Sequence, residues 1–96
     1  MKYDESLRTP EVRVKEAEQI GDELRTLLIA RGVTQSEAAA RAGVSRSTAV
    51  LLEKGDESRT LSQVLRYLHA LEPELTLAGL LTGKSAAVRV FNEAPR

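Results

Sequence analysis

The sequence predicts an all-α fold, one domain built as a compact bundle of five short helices, on three observations. Apolar residues recur at helical spacing in two stretches, Ile20, Leu24, Leu27 and Leu28, then Leu61, Val64, Leu65, Leu68 and Leu71. This is the pattern of one buried helix face. Hydroxyl residues that suit helix starts alternate with glycines that suit helix stops, Thr34 before Gly43 and Ser45 before Gly55. The core must be aliphatic, since 96 residues hold 42% hydrophobic side chains but only three aromatics, Tyr3, Tyr67 and Phe91. A chain of this length encloses one modest core.

Residues 1–14, polar and charged around Pro10, read as an extended or disordered arm, either a free end or an arm reaching a groove or a partner. A helix over 15–31 follows, with Gly21 inside it at a cost of up to ~1 kcal/mol relative to alanine. Gly32 ends it and Val33 returns the chain to the core. Thr34 caps a helix over 35–42, with Glu37 as its capping-box partner. Gly43 makes the turn, and Ser45 caps a helix that runs to about Glu53, where Gly55 stops it. Thr60 caps a fourth helix over 61–71, and Pro73 breaks the chain. A fifth helix is expected over 75–81, with a strand open for 75–78 because Leu75 and Leu77 alternate. The domain spans 15–82. The tail over 83–96 includes A-A-V-R-V-F, which alternates like a strand; it either pairs with its copy in a second chain or stays disordered.

Two short helices around a tight glycine turn are the sequence form of a helix-turn-helix. Ala38, Ala39 and Ala42 let the helices cross closely, and Ala49 and Leu52 face inward on the second. The outward arc then carries Arg46, Ser47, Val50 and Lys54, with Leu51 at its edge. A bidentate donor, hydroxyls and methyl-sized apolar groups are what reads base edges in a major groove. The same core also serves a helical interaction domain that binds no nucleic acid, and only this arc separates the two.

Charge supports the first reading once it is divided. The net charge is zero, but residues 1–23 hold four Lys/Arg against seven Asp/Glu, and residues 24–71 hold seven against four. The positive excess lies over the motif, where phosphates would be met. Absence of cysteine rules out disulfides and thiolate metal sites. The lone His69 has no cysteine or carboxylate pair beside it and reads as a surface or interface residue. Asp56 and Glu57 lack the alternating ligands of a cation loop. No cofactor, metal site or catalytic constellation is expected, so an enzyme is not. With no secretory pattern and no long apolar run, a cytoplasmic protein is the expectation.

The run T-Q-S-E-A-A-A-R-A-G-V-S-R-S-T-A-V-L-L-E-K-G over 34–55 resembles the Xre/phage-repressor family, in which T-Q, an alanine, G-V-S and E-x-G recur in this register. The resemblance covers about residues 20–82 and implies a lambda-repressor-like fold that binds double-stranded DNA as a homodimer on inverted repeats. On this reading Gln35 clamps a phosphate with Ser36 beside it, and Ser45 and Ser47 approach phosphate or base edges. Arg46 reads guanine, and Val50 and Leu51 touch thymine methyls. Lys54 and Arg59 hold the backbone, with Arg41 a weaker candidate. The dimer surface is expected on Leu77, Leu80 and Leu81 plus 86–91.

The run E-K-G-D-E-S-R-T-L-S-Q-V-L-R-Y-L-H-A-L-E over 53–72 further resembles HipB-like antitoxins. Those repress their own operon and bind a HipA-like kinase toxin. A stand-alone Xre regulator, of prophage or metabolic type, is the alternative. The chain departs from the family at Leu28. Related repressors commonly carry there an arginine that pairs with the glutamate matching Glu53. Glu53 is therefore expected to use Arg25, Arg31 or backbone N–H groups, while Leu28 fills space left by Ala38 and Ala49.

Overall fold

The computed structural model describes residues 8–83. All but Gly83 of the dimerising tail expected over 83–96, and the first half of the expected arm, lie outside the described residues. Five helices follow in order: α1 (Glu11–Arg31), α2 (Gln35–Ala42), α3 (Arg46–Lys54), α4 (Leu61–Leu71) and α5 (Leu77–Leu81). Among the described residues there is no strand, and the fold is the expected all-α, five-helix domain. Helix α1 packs along α3, α2 packs along both α3 and α4, and α5 closes against α1.

Helix α1 begins at Glu11, four residues before the expected start, so residues 11–14 are helical rather than part of an arm. Pro10 explains the shift. Its φ of −55° suits a helix entry, and its carbonyl accepts from the N–H groups of Arg13 (2.9 Å) and Val14 (3.1 Å). Ion pairs Arg13–Glu16 (2.8 Å) and Lys15–Glu11 (3.5 Å) line the exposed side of the first turns, each worth a few tenths of a kcal/mol.

Helix α5 starts two residues later than expected, because the Thr76 hydroxyl accepts from the Gly79 N–H (2.9 Å) and makes Thr76 the cap. Residues 77 and 78 are helical, not strand. Leu80 is only 1% exposed. It belongs to the core of the single chain and leaves no side chain for the expected dimer surface; Leu81 stays exposed and Leu77 is half-buried.

The core joins Leu24, Leu27 and Leu28 of α1 to Ala38, Ala39 and Ala42 of α2, Ala49 and Leu52 of α3, Tyr67, Leu68 and Leu71 of α4, and Leu80. Each fully buried leucine contributes about 1.5–3 kcal/mol by transfer from water. Helix α4 is rotated from the expected stripe: Tyr67 is buried, while Leu61 and Leu65 are exposed. Its inward face is Val64, Tyr67, Leu68 and Leu71, which is the i, i+3, i+4, i+7 pattern with an aromatic at the second position.

The α1–α3 crossing explains Gly21. A Cβ built there would sit 2.5 Å from the Gly55 nitrogen and 2.7 Å from the Glu53 carbonyl oxygen. One built on Gly55 would sit 2.5 Å from the Ala17 carbonyl oxygen. Two backbones meet where only glycine fits. The helix-propensity loss at Gly21 is the condition for mounting α3 directly on α1.

Candidate nucleic-acid interface

Helices α2 and α3 are set by their ends. The Thr34 hydroxyl accepts from the Glu37 N–H (3.1 Å) and donates to the Glu37 carboxylate (2.8 Å), which also takes the Thr34 N–H (3.4 Å). This is the expected capping box. The Thr34 hydroxyl and N–H hold the Glu37 carboxyl below the usual glutamate range, with Arg41 adding to the effect.

At the far end Gly43 takes φ +69°. Its N–H reaches the Ala40 carbonyl (3.2 Å), and the Val44 N–H reaches the Ala39 carbonyl (3.0 Å). These two bonds form a Schellman stop. The three residues Gly43, Val44 and Ser45 then turn the chain, with Val44 packed against the core.

Ser45 caps α3. Its hydroxyl oxygen accepts from the Thr48 N–H (3.1 Å), lies 3.1 Å from the Ser47 hydroxyl, and the group donates to the Thr48 hydroxyl (3.0 Å). Ser45 is thus occupied within the cap. At the start of α3 the exposed side chains of Arg46 and Ser47 remain for a ligand. Arg46 has no hydrogen bond or ion pair among the described residues, and neither does Lys54, exposed at the other end. Val50 and Leu51 are half-buried: they contribute packing as well as an outer apolar edge.

Gln35 and Ser36 occupy the first turn of α2, where N–H groups lie unused by the helix ladder. The Glu37 carboxylate sits in that turn too, adding a negative charge close to where a phosphate would bind. Arg59 lies on the α3–α4 loop, its Nη2 donating to the Ser58 hydroxyl (3.2 Å). Its buried Nε has no partner among the described residues. Asp56 anchors that loop by accepting from the Ser58 N–H (2.8 Å) and hydroxyl, which hold its carboxyl below the usual aspartate range.

The inner side of α3 carries a charge. Glu53 is 5% exposed. The Tyr67 hydroxyl donates to its Oε2, and Arg25 Nη1 lies 3.8 Å from Oε1. Arg25 is one of the expected partners. Tyr67 was not foreseen, because fourteen residues separate it from Glu53 and only packing of α4 brings them together. Burial, then the bond to the Glu53 carboxylate, pushes the Tyr67 phenol well above the ordinary tyrosine value. Leu28, expected to fill space left by Ala38 and Ala49, is buried in the same core cluster as both.

A helix-turn-helix domain family model matches residues 19–81, more than half of the chain. The chain belongs to the helix-turn-helix domain family. No curated protein and no solved structure matches it. Both halves of the motif, the capped α2 and the outward-facing α3, fall inside the matched span, as do α4 and α5. The match supports a DNA-binding regulator. Among the described residues, no helix of this helix-turn-helix protein is long and apolar enough to cross a membrane.

Proposed function

We propose that this helix-turn-helix protein is a sequence-specific, double-stranded DNA-binding transcriptional repressor without enzymatic activity. The observation that carries the reading is the outer arc of α3. Its inner face is fixed by Ala49, Leu52 and Glu53, while Arg46, Ser47 and Lys54 stand exposed on a capped, rigidly mounted helix. Arg46 reads guanine through O6 and N7, and Val50 and Leu51 offer methyls to thymine. Gln35, Ser36, Lys54 and Arg59 hold phosphates, which position the domain without reading sequence. Ser45 serves by starting the helix.

One such motif buries too little surface for a specific site, so the protein acts as a two-fold homodimer on an inverted repeat. Within the family we place it with the HipB-like antitoxins of the Xre type, on the 53–72 run, as repressor of an operon that also encodes a HipA-like kinase toxin. A kinase-like reading frame beside the gene supports that placement, and its absence favours a stand-alone Xre regulator.

The test is selection of bound duplexes from random DNA by the full chain. An inverted repeat with guanine at the Arg46 position is expected. Arg46→Ala is then expected to cost about 1–3 kcal/mol on the selected duplex and to relax preference at that base. Lys54→Ala should weaken all duplexes alike. Recovery of no consensus, with equal binding of all duplexes by the wild type, overturns the reading.

A further inference from the structure

A second surface stands out on the side of the bundle where α2 and α4 pack. A groove of about 600 Å³ runs there along α4, bounded by Arg41 and Ala42 of α2. Its apolar floor is Leu61 and Leu65, which are 63% and 43% exposed, and its rim includes Arg41, Arg66 and His69. Among the described residues, no acidic side chain lines it. Arg66 has no hydrogen bond or ion pair among the described residues, and Arg41 has only exposed Glu37 at 3.9 Å. Leucines left in water beside an unpaired Arg66 and a loosely paired Arg41 add little to the stability of the single chain.

We propose that this groove receives an acidic amphipathic helix from a partner protein. Leu61, Leu65 and His69 follow one another by single helical turns, giving a straight track of roughly 12 Å. A partner helix fits such a track with apolar anchors one turn apart, and its Asp or Glu side chains meet the two guanidinium groups. Duplex DNA fits less well, because phosphate contacts use cations and amides and give the exposed leucines no apolar cover. A second copy of this chain also fits less well. Helix α1 carries exposed acids, but its exposed large apolar side chains among the described residues are Val12 and Ile29, which lie too far apart along the helix to serve as anchors one turn apart. This inference stands apart from the DNA reading, since it uses neither α3 nor the first turn of α2. The groove does adjoin the turn between them: a Cβ on Gly43 would lie 3.6 Å from Arg66 Nη1.

The experiment titrates two blocked peptides of about 16 residues, long enough to hold some helix in water, into the isotope-labelled full chain. One has leucines at i, i+4 and i+7 flanked by glutamates; its twin has lysine at every glutamate. Saturable amide shifts confined to residues 41–43 and 61–69 are expected with the acidic peptide only. Leu65→Ser and Arg66→Glu, both at exposed positions, should each weaken it about tenfold. Equal binding of the lysine twin, shifts mapping elsewhere, or no effect of either substitution overturns the proposal. So does a sedimentation profile in which Leu65→Ser turns a dimer into a monomer, which assigns the groove to a second copy. Loss of duplex affinity on Arg66→Glu with peptide affinity unchanged assigns it to DNA.

Discussion

The α1–α3 and α2–α4 crossings enclose the same core with different chemistry. At α1–α3 two backbones touch through Gly21 and Gly55, and a buried carboxylate on α3 is held by Tyr67 and approached by Arg25. At α2–α4 alanines meet the inward face of α4, and the outer edge is left open at Leu61 and Leu65. The first crossing permits almost no change of side chain and fixes the attitude of α3. The second tolerates change on its rim and leaves a surface to be covered. A reading helix needs the first kind of mounting, since small displacements at its root move its exposed side chains against a groove.

The largest effect should come from Gly55→Ala, set beside Gly43→Ala. Both glycines have left-handed φ, +74° and +69°, so both alanines carry a conformational cost of about 1–2 kcal/mol. Only Gly55 also meets backbone, and overpacking there adds about 1–3 kcal/mol. Urea unfolding should separate the two variants by that second amount, and equal losses would mean that the α1–α3 approach is looser than described.

Tyr67→Phe comes next. It leaves Glu53 Oε2 without its donor and should cost about 1–3 kcal/mol. The phenol's raised pKa also sets a pH dependence. The folded chain keeps the proton that the unfolded chain releases near pH ~10, so the stabilisation is full below that pH and is lost as pH rises above it. Wild type should therefore lose stability in alkali more steeply than Tyr67→Phe, and parallel curves would count against the buried bond.

Gly21→Ala has an expected sign opposite to the one helix propensity gives. Propensity alone favours alanine by up to ~1 kcal/mol, but the clash with the Gly55 nitrogen should leave a net loss of about 1–2 kcal/mol. A stabilised variant refutes the close crossing.

The smallest effect belongs to the α2 side. Glu37→Gln keeps the shape of the capping box and removes its charge. With the Glu37 carboxyl held below its ordinary range, the wild-type advantage should be present above the usual glutamate pKa and be lost as pH falls through the lowered value. Thermal melts of both forms between neutral and acid pH check this, and a gap that persists in acid would place the effect elsewhere.

Much of the fold was legible because it is written in local signals. Thr34 with Glu37, the Gly43 turn and the Ser45 cap each act within a few residues, and each appears as expected. The alanines that let α2 and α3 cross are also where their spacing put them. Pro10 was misjudged because a proline marks a helix start as readily as a break. On α4, five leucine-type positions read as one stripe in the sequence, but the core takes Val64, Leu68 and Leu71 with Tyr67 and leaves Leu61 and Leu65 exposed. Apolar period alone does not fix the rotation of a helix to within one position. The arc of α3 was legible as a list of residues, while the half-burial of Val50 and Leu51 on it required atomic positions.

The sequence alone determined the helices, their stops and the side of α3 that faces out, because caps, left-handed glycines and apolar period are short-range chemistry. Only the tertiary structure decided that Gly21 meets Gly55, that Tyr67 rather than Leu65 turns inward, and that Glu53 accepts its hydrogen bond from Tyr67 on a helix packed from elsewhere. Those outcomes depend on how helices distant in the chain come to share one interior, and no local pattern records that.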